Sequence, residues 1–239
     1  MNGTFSGKVA LVAGGTGGLG RAVSLALLRE GADVIVTYMV REELDALQRD
    51  AGPHGARLAG HAVDVTDETA VARFVETIIA KHGGLDALVN AVGGYAGGTP
   101  LWEMSGQVLD RMLALNLRSG FALSRAVVPG MINRKRGAIV NIAAKAAFDH
   151  PAGAAGYAAS KAAALALLET LAAELKATGV RVNSILPSII DTPANRKAMP
   201  DADFARWPKP EDIARVILFL CSDNARVIHG AAIPVYGDS

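Results

Sequence analysis

Cysteine is almost missing from this chain: Cys221 is the only one among 239 residues. A single thiol excludes an internal disulfide and a cysteine-based metal cluster. We therefore predict a protein of a reducing compartment, most simply the cytoplasm, with no metal site. The apolar run before the thiol, Val216 to Leu220, is typical of the buried side of a helix, where thiols are usually inert.

An excess of either charge is also missing, since 24 lysines and arginines balance 23 aspartates and glutamates. That balance gives no support for a nucleic-acid partner or for binding to a membrane surface. No apolar run reaches the roughly 20 residues that a membrane-spanning helix needs. The first residues also lack the pattern of a signal peptide. We expect a soluble protein without a membrane partner.

What the chain does have is a regular alternation of apolar runs of strand length with helical stretches, and 51% of its residues are hydrophobic. Parallel strands joined by helical crossovers produce that alternation. It predicts an α/β fold with a doubly wound (Rossmann) parallel sheet flanked by helices. With no linker or repeat, residues 1–239 form a single domain. The predicted strands are Lys8–Ala13, Asp33–Tyr38, a third that ends at Val65, Leu85–Asn90, Ala138–Ile142, Val180–Leu186 and Ala232–Val235. One long helix is predicted between the fourth and fifth strands, from about Glu103 to Met131.

A glycine-rich turn follows the first predicted strand and opens the first helix, with Gly14, Gly18 and Gly20 in a G-x-x-x-G-x-G spacing. Glycines there let backbone N–H groups approach a pyrophosphate, and the helix N-terminus favours its negative charge. A merely flexible turn is the alternative. The position between a strand and a helix is the context that a dinucleotide-binding motif requires.

Two further stretches lie at the carboxyl ends of predicted strands, the edge where open α/β sheets bind ligands. Asp64 is placed to contact an adenine edge, although a helix-capping role is equally open. Asn90 to Gly94 follow the fourth strand and reach the same edge.

Tyr157 and Lys161 stand four residues apart at the head of a predicted helix and would therefore share one face. A phenol is a poor proton donor near neutrality, and a fixed ammonium nearby should lower its pKa towards the working range. Taken alone, the pair could equally be ordinary residues on an exposed helix.

In this order, the glycine spacing, Asn90, Asn116 and the Tyr157/Lys161 pair resemble the short-chain dehydrogenase/reductase family over essentially the whole chain. The resemblance implies that Tyr157 is the general acid/base, that Lys161 is its partner and that Asn116 steadies a water chain to the lysine. It also implies a homodimer or homotetramer and an NADPH or NADH coenzyme. The residues expected at the coenzyme are Gly14, Thr16, Gly18, Leu19, Gly20, Tyr38, Asp64, Val65, Asn90, Gly93, Tyr157, Lys161, Pro187 and Thr192.

The catalytic serine of that family is missing, because its position, thirteen residues before Tyr157, is Ala144. Within the family, the loop from Ala144 to Ala147 and the segment from Asp191 to Phe204 resemble dihydropteridine reductase, which also lacks the serine. The resemblance implies NAD(P)H-dependent reduction of a quinonoid dihydropterin, a flat heterocycle. The alternatives are a general carbonyl reductase or alcohol dehydrogenase that works without the serine, and a catalytically weak coenzyme-binding regulator.

Weaker signals concern the coenzyme and the substrate. Tyr38 stands where an acid would exclude NADPH, and Arg41 could reach a phosphate, so the sequence leans slightly to NADPH. Tyr95 and Trp207 could stack on a flat ligand or simply pack. The long segment 187–210 is predicted to be a mobile substrate lid.

Two charged residues near Ala144 could compensate for the missing serine. Lys145 faces either the active site or solvent, and solvent is the favoured alternative. A lone loop histidine such as His150 is more often incidental.

Overall fold

Seven parallel strands form one sheet in a computed structural model that describes residues 3–239. The order across the sheet is β3-β2-β1-β4-β5-β6-β7, and every neighbouring pair is parallel. The strands are β1 Val9–Ala13, β2 Asp33–Tyr38, β3 Leu58–Ala62, β4 Ala87–Asn90, β5 Gly137–Ile142, β6 Val180–Pro187 and β7 Ala232–Val235. The predicted doubly wound α/β fold is confirmed.

Helices cover both faces of this sheet. Their bounds are α1 Gly18–Arg29, α2 Arg41–Ala51, α3 Glu68–His82, α4 Gly106–Leu113, α5 Ser119–Asn133, α6 Ala146–Asp149, α7 Ala155–Glu174, α8 Pro193–Ala198 and α9 Pro210–Cys221. Alternate residues of β1 enter opposite cores: Val12 packs with α1, α2 and α9, whereas Leu11 packs with α3, α5 and α7. The continuous apolar runs in the sequence therefore reflect burial on both faces.

Two predicted elements differ from the structure by more than one or two residues at a strand end. The third strand ends at Ala62, three residues before the predicted Val65, and Asp67 caps α3 by accepting from two backbone N–H groups. The single long helix expected from about Glu103 to Met131 is divided into α4, a π-helical turn at Ala114–Arg118, and α5. The short helix α6 was not predicted.

The chain reverses its direction of winding between β1 and β4, which are neighbours in the sheet although β2 and β3 lie between them in sequence. Such a switch point opens a crevice at the carboxyl ends of the strands. The loops after the two strands meet there, because a Cβ on Gly14 would lie 3.1 Å from Val92 Cγ2.

Candidate active site

The glycine turn after β1 contains backbone positions at which a larger residue would not fit. Gly14 adopts a φ of +69°, and a Cβ on Gly20 would overlap the Gly14 carbonyl oxygen. Gly17, the residue before α1, offers no side-chain cap to the free N–H groups of the first turn. Unpaired donors at a helix N-terminus, in a cradle without Cβ atoms, fit a pyrophosphate. The turn therefore suits the dinucleotide coenzyme predicted from the sequence.

Neighbouring side chains hold this turn against the sheet and the segment after β6. The backbone N–H of Gly14 donates to Thr37 Oγ1 on β2 at 2.9 Å. Thr192 packs on the other side, since a Cβ on Gly18 would lie 2.9 Å from its Cγ2. Sequence reasoning missed Thr37, although a threonine inside an otherwise apolar strand was a signal for it.

Asp64 and Val65 lie just beyond the end of β3. Asp64 Oδ1 accepts from the backbone N–H of Thr66 at 2.9 Å and from its hydroxyl at 2.7 Å. These hydrogen bonds lower the pKa of the Asp64 carboxyl. Asp64 shapes this turn while Asp67 caps α3, and Val65 is buried in the core below.

Asn90 and Gly93 have different surroundings within one loop. Asn90 is buried, and its amide donates to Asn141 Oδ1 at 3.3 Å, which joins the ends of β4 and β5. Gly93 lines the crevice, where a Cβ would lie 2.9 Å from Asn116 Oδ1 and 3.2 Å from Lys161 Nζ. Asn90 thus supports the loop from below, and Gly93 leaves room for the polar groups beside it.

The crevice is a cleft of about 250 Å³ that brings the predicted catalytic pair together with part of the predicted coenzyme set. Lys161 is buried and donates to the Ile142 carbonyl oxygen at 2.8 Å, so α7 is tied to the end of β5. The lining residues are Leu19, Ala91, Val92, Gly93, Gly94, Tyr95, Ile142, Ala143, Ala144, Tyr157, Lys161, Pro187, Ser188 and Ile190.

Burial is the largest influence on the pKa values of the catalytic pair, Tyr157 and Lys161. It raises the pKa of Tyr157 to about 12, with a smaller contribution from Tyr95, and lowers the pKa of Lys161 to about 8. The expectation that the Lys161 ammonium would lower the Tyr157 pKa is wrong, because burial of the phenol and the neighbouring Tyr95 both raise it. A protonated phenol is the form that donates a proton during a reduction.

Asn116 occupies the π-helical turn between α4 and α5. Its side-chain amide donates to the Gly94 carbonyl oxygen at 3.0 Å and to Ser160 Oγ at 2.9 Å, and its oxygen accepts from the Gly94 N–H at 2.9 Å. π-Helical turns are frequent at functional sites. Asn116 is therefore joined to α7 through Ser160, a residue that the analysis of the sequence missed although it directly precedes Lys161.

Ala144 lines the cleft at the position of the missing serine, and Lys145 does not replace it. Lys145 Nζ lies 3.3 Å from the Ser239 main-chain oxygen, 3.6 Å from Asp149 and 5.1 Å from the ring centre of Tyr236. Its side chain remains 35% exposed, in keeping with the favoured position in solvent, while these contacts attach the catalytic loop to Tyr236 and Ser239.

The predicted substrate residues lie in different parts of the structure. Tyr95 lines the cleft with its ring edge-on to Tyr157 at a centroid distance of 5.0 Å. Trp207 does not line it: the indole is buried against Phe204, so plain packing accounts for it. His150 lies on a separate groove beside α7.

Comparison with known proteins identifies the chain's relatives. The short chain dehydrogenase family matches residues 8–203. The chain belongs to the short-chain dehydrogenase family. Its relatives include the 3-oxoacyl-[acyl-carrier-protein] reductase FabG of Thermotoga maritima, 34% identical over 98% of each chain. The D-threitol dehydrogenase of Mycolicibacterium smegmatis is 35% identical over 98% of this chain and 93% of the relative.

Solved structures of short-chain dehydrogenases superpose closely on this one. NAD⁺-bound xylitol dehydrogenase has a TM-score of 0.90 at 29% identity, covering 98% of this chain and 99% of that one. ElxO with NADP bound has a TM-score of 0.91 at 25% identity, covering 96% and 97%. The protein is thus an NAD(P)-dependent oxidoreductase that acts on a small molecule.

Two kinds of feature are absent from residues 3–239. They contain no helix that is both long and apolar enough to cross a membrane. They also contain no group of three or more histidine, cysteine, aspartate or glutamate side chains that could hold a metal ion.

The buried Lys161 of this short-chain dehydrogenase should cost stability. Its pKa of about 8 in the folded protein lies below the ordinary 10.5, so the charged side chain destabilises the fold fully below pH 8 and progressively less up to pH 10.5. Replacing Lys161 by Met should stabilise the coenzyme-free protein at pH 7 by roughly 2 kcal/mol, after loss of the hydrogen bond to Ile142. Urea unfolding at pH 7 and pH 10 measures this.

The gain should shrink at pH 10, because the folded protein has by then lost the Lys161 proton and the cost of removing it falls as the pH approaches 10.5. Lys176→Met, in the exposed turn that follows α7, is the control and should change little at either pH. A destabilised Lys161→Met protein at pH 7 would contradict the assignment of a burial penalty.

Proposed function

We propose that this enzyme is a dihydropteridine reductase-like NAD(P)H-dependent reductase, which reduces the conjugated C=N system of a quinonoid dihydropterin. The observation that carries the proposal is a cleft with one proton donor, the half-buried Tyr157, and an alanine where a second donor would face a carbonyl oxygen. The similarity of the segment from Asp191 to Phe204 to dihydropteridine reductase supports the same substrate.

The other hydroxyl groups of the cleft do not replace the missing donor. Ser188 donates its proton to the Tyr236 carbonyl oxygen at 2.7 Å and accepts from Ser239 Oγ at 2.6 Å. Tyr95 is largely exposed and stands edge-on to Tyr157. An oxyanion formed from a ketone would therefore meet one donor instead of two, which typically costs 10²–10³ in rate, on the order of 3–4 kcal/mol.

A quinonoid dihydropterin avoids this cost, because the electron pair that arrives with the hydride is delocalised into its conjugated ring. When bound, the reduced nicotinamide coenzyme supplies a hydride. The added charge then spreads over ring nitrogens, one of which takes the Tyr157 proton to form an N–H bond. Tyr95 at the mouth of the cleft offers an aromatic face to such a flat ring.

A substrate screen tests the proposal directly. Purified protein should oxidise NADH or NADPH rapidly with quinonoid dihydropterin and only slowly with simple ketones and aldehydes. Rapid ketone reduction without turnover of the pterin would contradict the proposed substrate.

The second candidate is a carbonyl reductase or alcohol dehydrogenase, and the names of the relatives favour it: one is a 3-oxoacyl reductase and another a threitol dehydrogenase. In that case Tyr157 alone would polarise the carbonyl oxygen. The third candidate, a coenzyme-binding regulator, is opposed by the proton donor and the buried lysine, which binding alone does not need.

Residues 187–210 are proposed as the substrate lid. The segment contains α8 and begins beside the glycine turn, where Thr192 packs against Gly18. Its far end is attached to the last residues, since Arg206 donates to the Asp238 carbonyl oxygen at 2.7 Å. Bound coenzyme would add contacts at Thr192.

Limited proteolysis tests the lid. Saturating coenzyme should slow cleavage within residues 187–210 several-fold, because contacts with the coenzyme would hold α8 closed. AMP, which lacks the nicotinamide half, is the control and should protect less. Equal cleavage rates with and without coenzyme would contradict the lid.

We also propose pairing of subunits through α7 and the neighbouring α5. A groove of about 710 Å³ runs beside the alanine-rich face of α7, and Leu101 and Trp102 project from its rim with more than half of their surface exposed. A homodimer or a homotetramer would cover this apolar surface, and light scattering distinguishes the two.

A further inference from the structure

A carboxylate stands beside the glycine turn, at a point that the residue order alone did not reveal. The Thr16 hydroxyl, in the middle of the turn, donates to Glu43 Oε2 at 2.9 Å. Glu43 lies in the first turn of α2, five residues beyond the end of β2. Thr16 is buried, whereas the Glu43 side chain is exposed and free to meet a ligand.

The position of this carboxylate matches a known requirement of dinucleotide folds. The pyrophosphate lies on the glycine turn, and the adenosine ribose extends towards the end of β2. An acid in that region accepts a hydrogen bond from the ribose 2′-hydroxyl, whereas an arginine accommodates a 2′-phosphate. Here the end of β2 is Tyr38, followed by the uncharged Met39 and Val40, so the strand itself offers no acid.

The cation that could hold a 2′-phosphate is already engaged. Arg41 Nε donates to Asp45 Oδ1 at 2.9 Å, one turn further along α2. Hydrogen bonds to Tyr38 and to Asp45 raise the pKa of Arg41, with that to Tyr38 the larger cause. Its charge is therefore balanced by Asp45, whereas no basic partner is found within residues 3–239 for the Glu43 carboxylate, which accepts a hydrogen bond from Thr16 beside the turn.

We propose that Glu43 selects the coenzyme: it accepts a hydrogen bond from the adenosine ribose 2′-hydroxyl and repels a 2′-phosphate, so that the enzyme prefers NADH. Glu43 would bind the ribose 2′-hydroxyl in place of an acid at the end of β2. This reverses the slight lean to NADPH drawn from Tyr38 and Arg41. The inference depends on the coenzyme and not on the proposed pterin substrate.

Coenzyme binding to the substrate-free protein tests the proposal, with nicotinamide fluorescence as the readout. The wild type should bind NADH about tenfold or more tightly than NADPH, as expected for a hydrogen bond to a charged group. Glu43→Gln should bring the two dissociation constants close together, and Glu43→Lys should reverse the preference. Glu42→Gln, the same change on the neighbouring exposed residue, is the control and should keep the wild-type ratio.

A second measurement isolates the contribution of the 2′-phosphate to binding. AMP and adenosine 2′,5′-bisphosphate, used as competitors, should differ in the same direction as NADH and NADPH, because neither contains nicotinamide. Tighter NADPH binding by the wild type would overturn the proposal. A Glu43→Gln ratio equal to that of the wild type or of Glu42→Gln would do the same. Since no pterin is present, failure of the pterin proposal would leave all of these results unaffected.

Discussion

Replacing Tyr157 by Phe should lower kcat by about 10²–10⁴-fold, the usual contribution of a positioned general acid. The change removes the hydroxyl that gives up the proton and keeps the ring. The pKa of about 12 makes Tyr157 fully protonated at neutral pH, which suits the reductive direction. Steady-state kinetics with the best acceptor from the screen, beside coenzyme titration, measures both properties.

Coenzyme binding should survive this change within a few-fold, since the glycine turn and Lys161 are untouched. The matched control is Tyr95→Phe, which removes another phenol from the same cleft. We expect it to alter KM more than kcat, because Tyr95 is placed to contact the substrate rather than to protonate it. If Tyr157→Phe retained wild-type turnover, the proton would have to come from another group and the proposed chemistry would collapse.

Replacing Ala144 by Ser should raise the ketone reductase activity by about 10²–10³-fold, the effect typical of one hydrogen-bond donor at a developing oxyanion. Ala144 is buried at the wall of the cleft that holds Tyr157, so a hydroxyl added there would face the reacting atoms. Turnover of quinonoid dihydropterin should change far less, because its charge appears on ring nitrogens. Comparing kcat/KM for both substrates measures this divergence.

The matched control is Ala146→Ser, the same change two residues later in α6, outside the residues that line the cleft. It should leave both activities near the wild-type level. Equal gains in kcat/KM for ketone and pterin, or a loss for both, would show that the missing donor does not determine which of the two substrates is reduced. A wild-type protein that already reduces ketones at rates typical of efficient enzymes would lead to the same conclusion.

Local patterns in the sequence were sufficient for much of the fold. The bounds of β2 and β7 match the prediction, and a glycine stands two residues before the start of each strand. The boundary error at β3 has a local cause: Asp64 bends the chain by accepting from Thr66, so the ladder stops before Val63. Hydrophobic periodicity does not register such a turn.

The interruption of the helix at Asn116 shows what periodicity cannot predict. The residues around it are good helix formers, and a continuous helix was the natural expectation. The π-helical turn coincides with Asn116 hydrogen bonds to Gly94 and Ser160, both distant in sequence. Such a turn depends on partners that only the folded chain brings near.

The sequence by itself determined the alternation of strands and helices, the glycine turn and the spacing of Tyr157 and Lys161, because each depends on neighbours within a few residues. Tertiary structure alone decided the protonation of the catalytic pair, the turning of Lys145 towards Ser239 and the contact of Glu43 with Thr16. Burial and charge act through space, so their effects follow from the packing of distant segments and not from the order of residues.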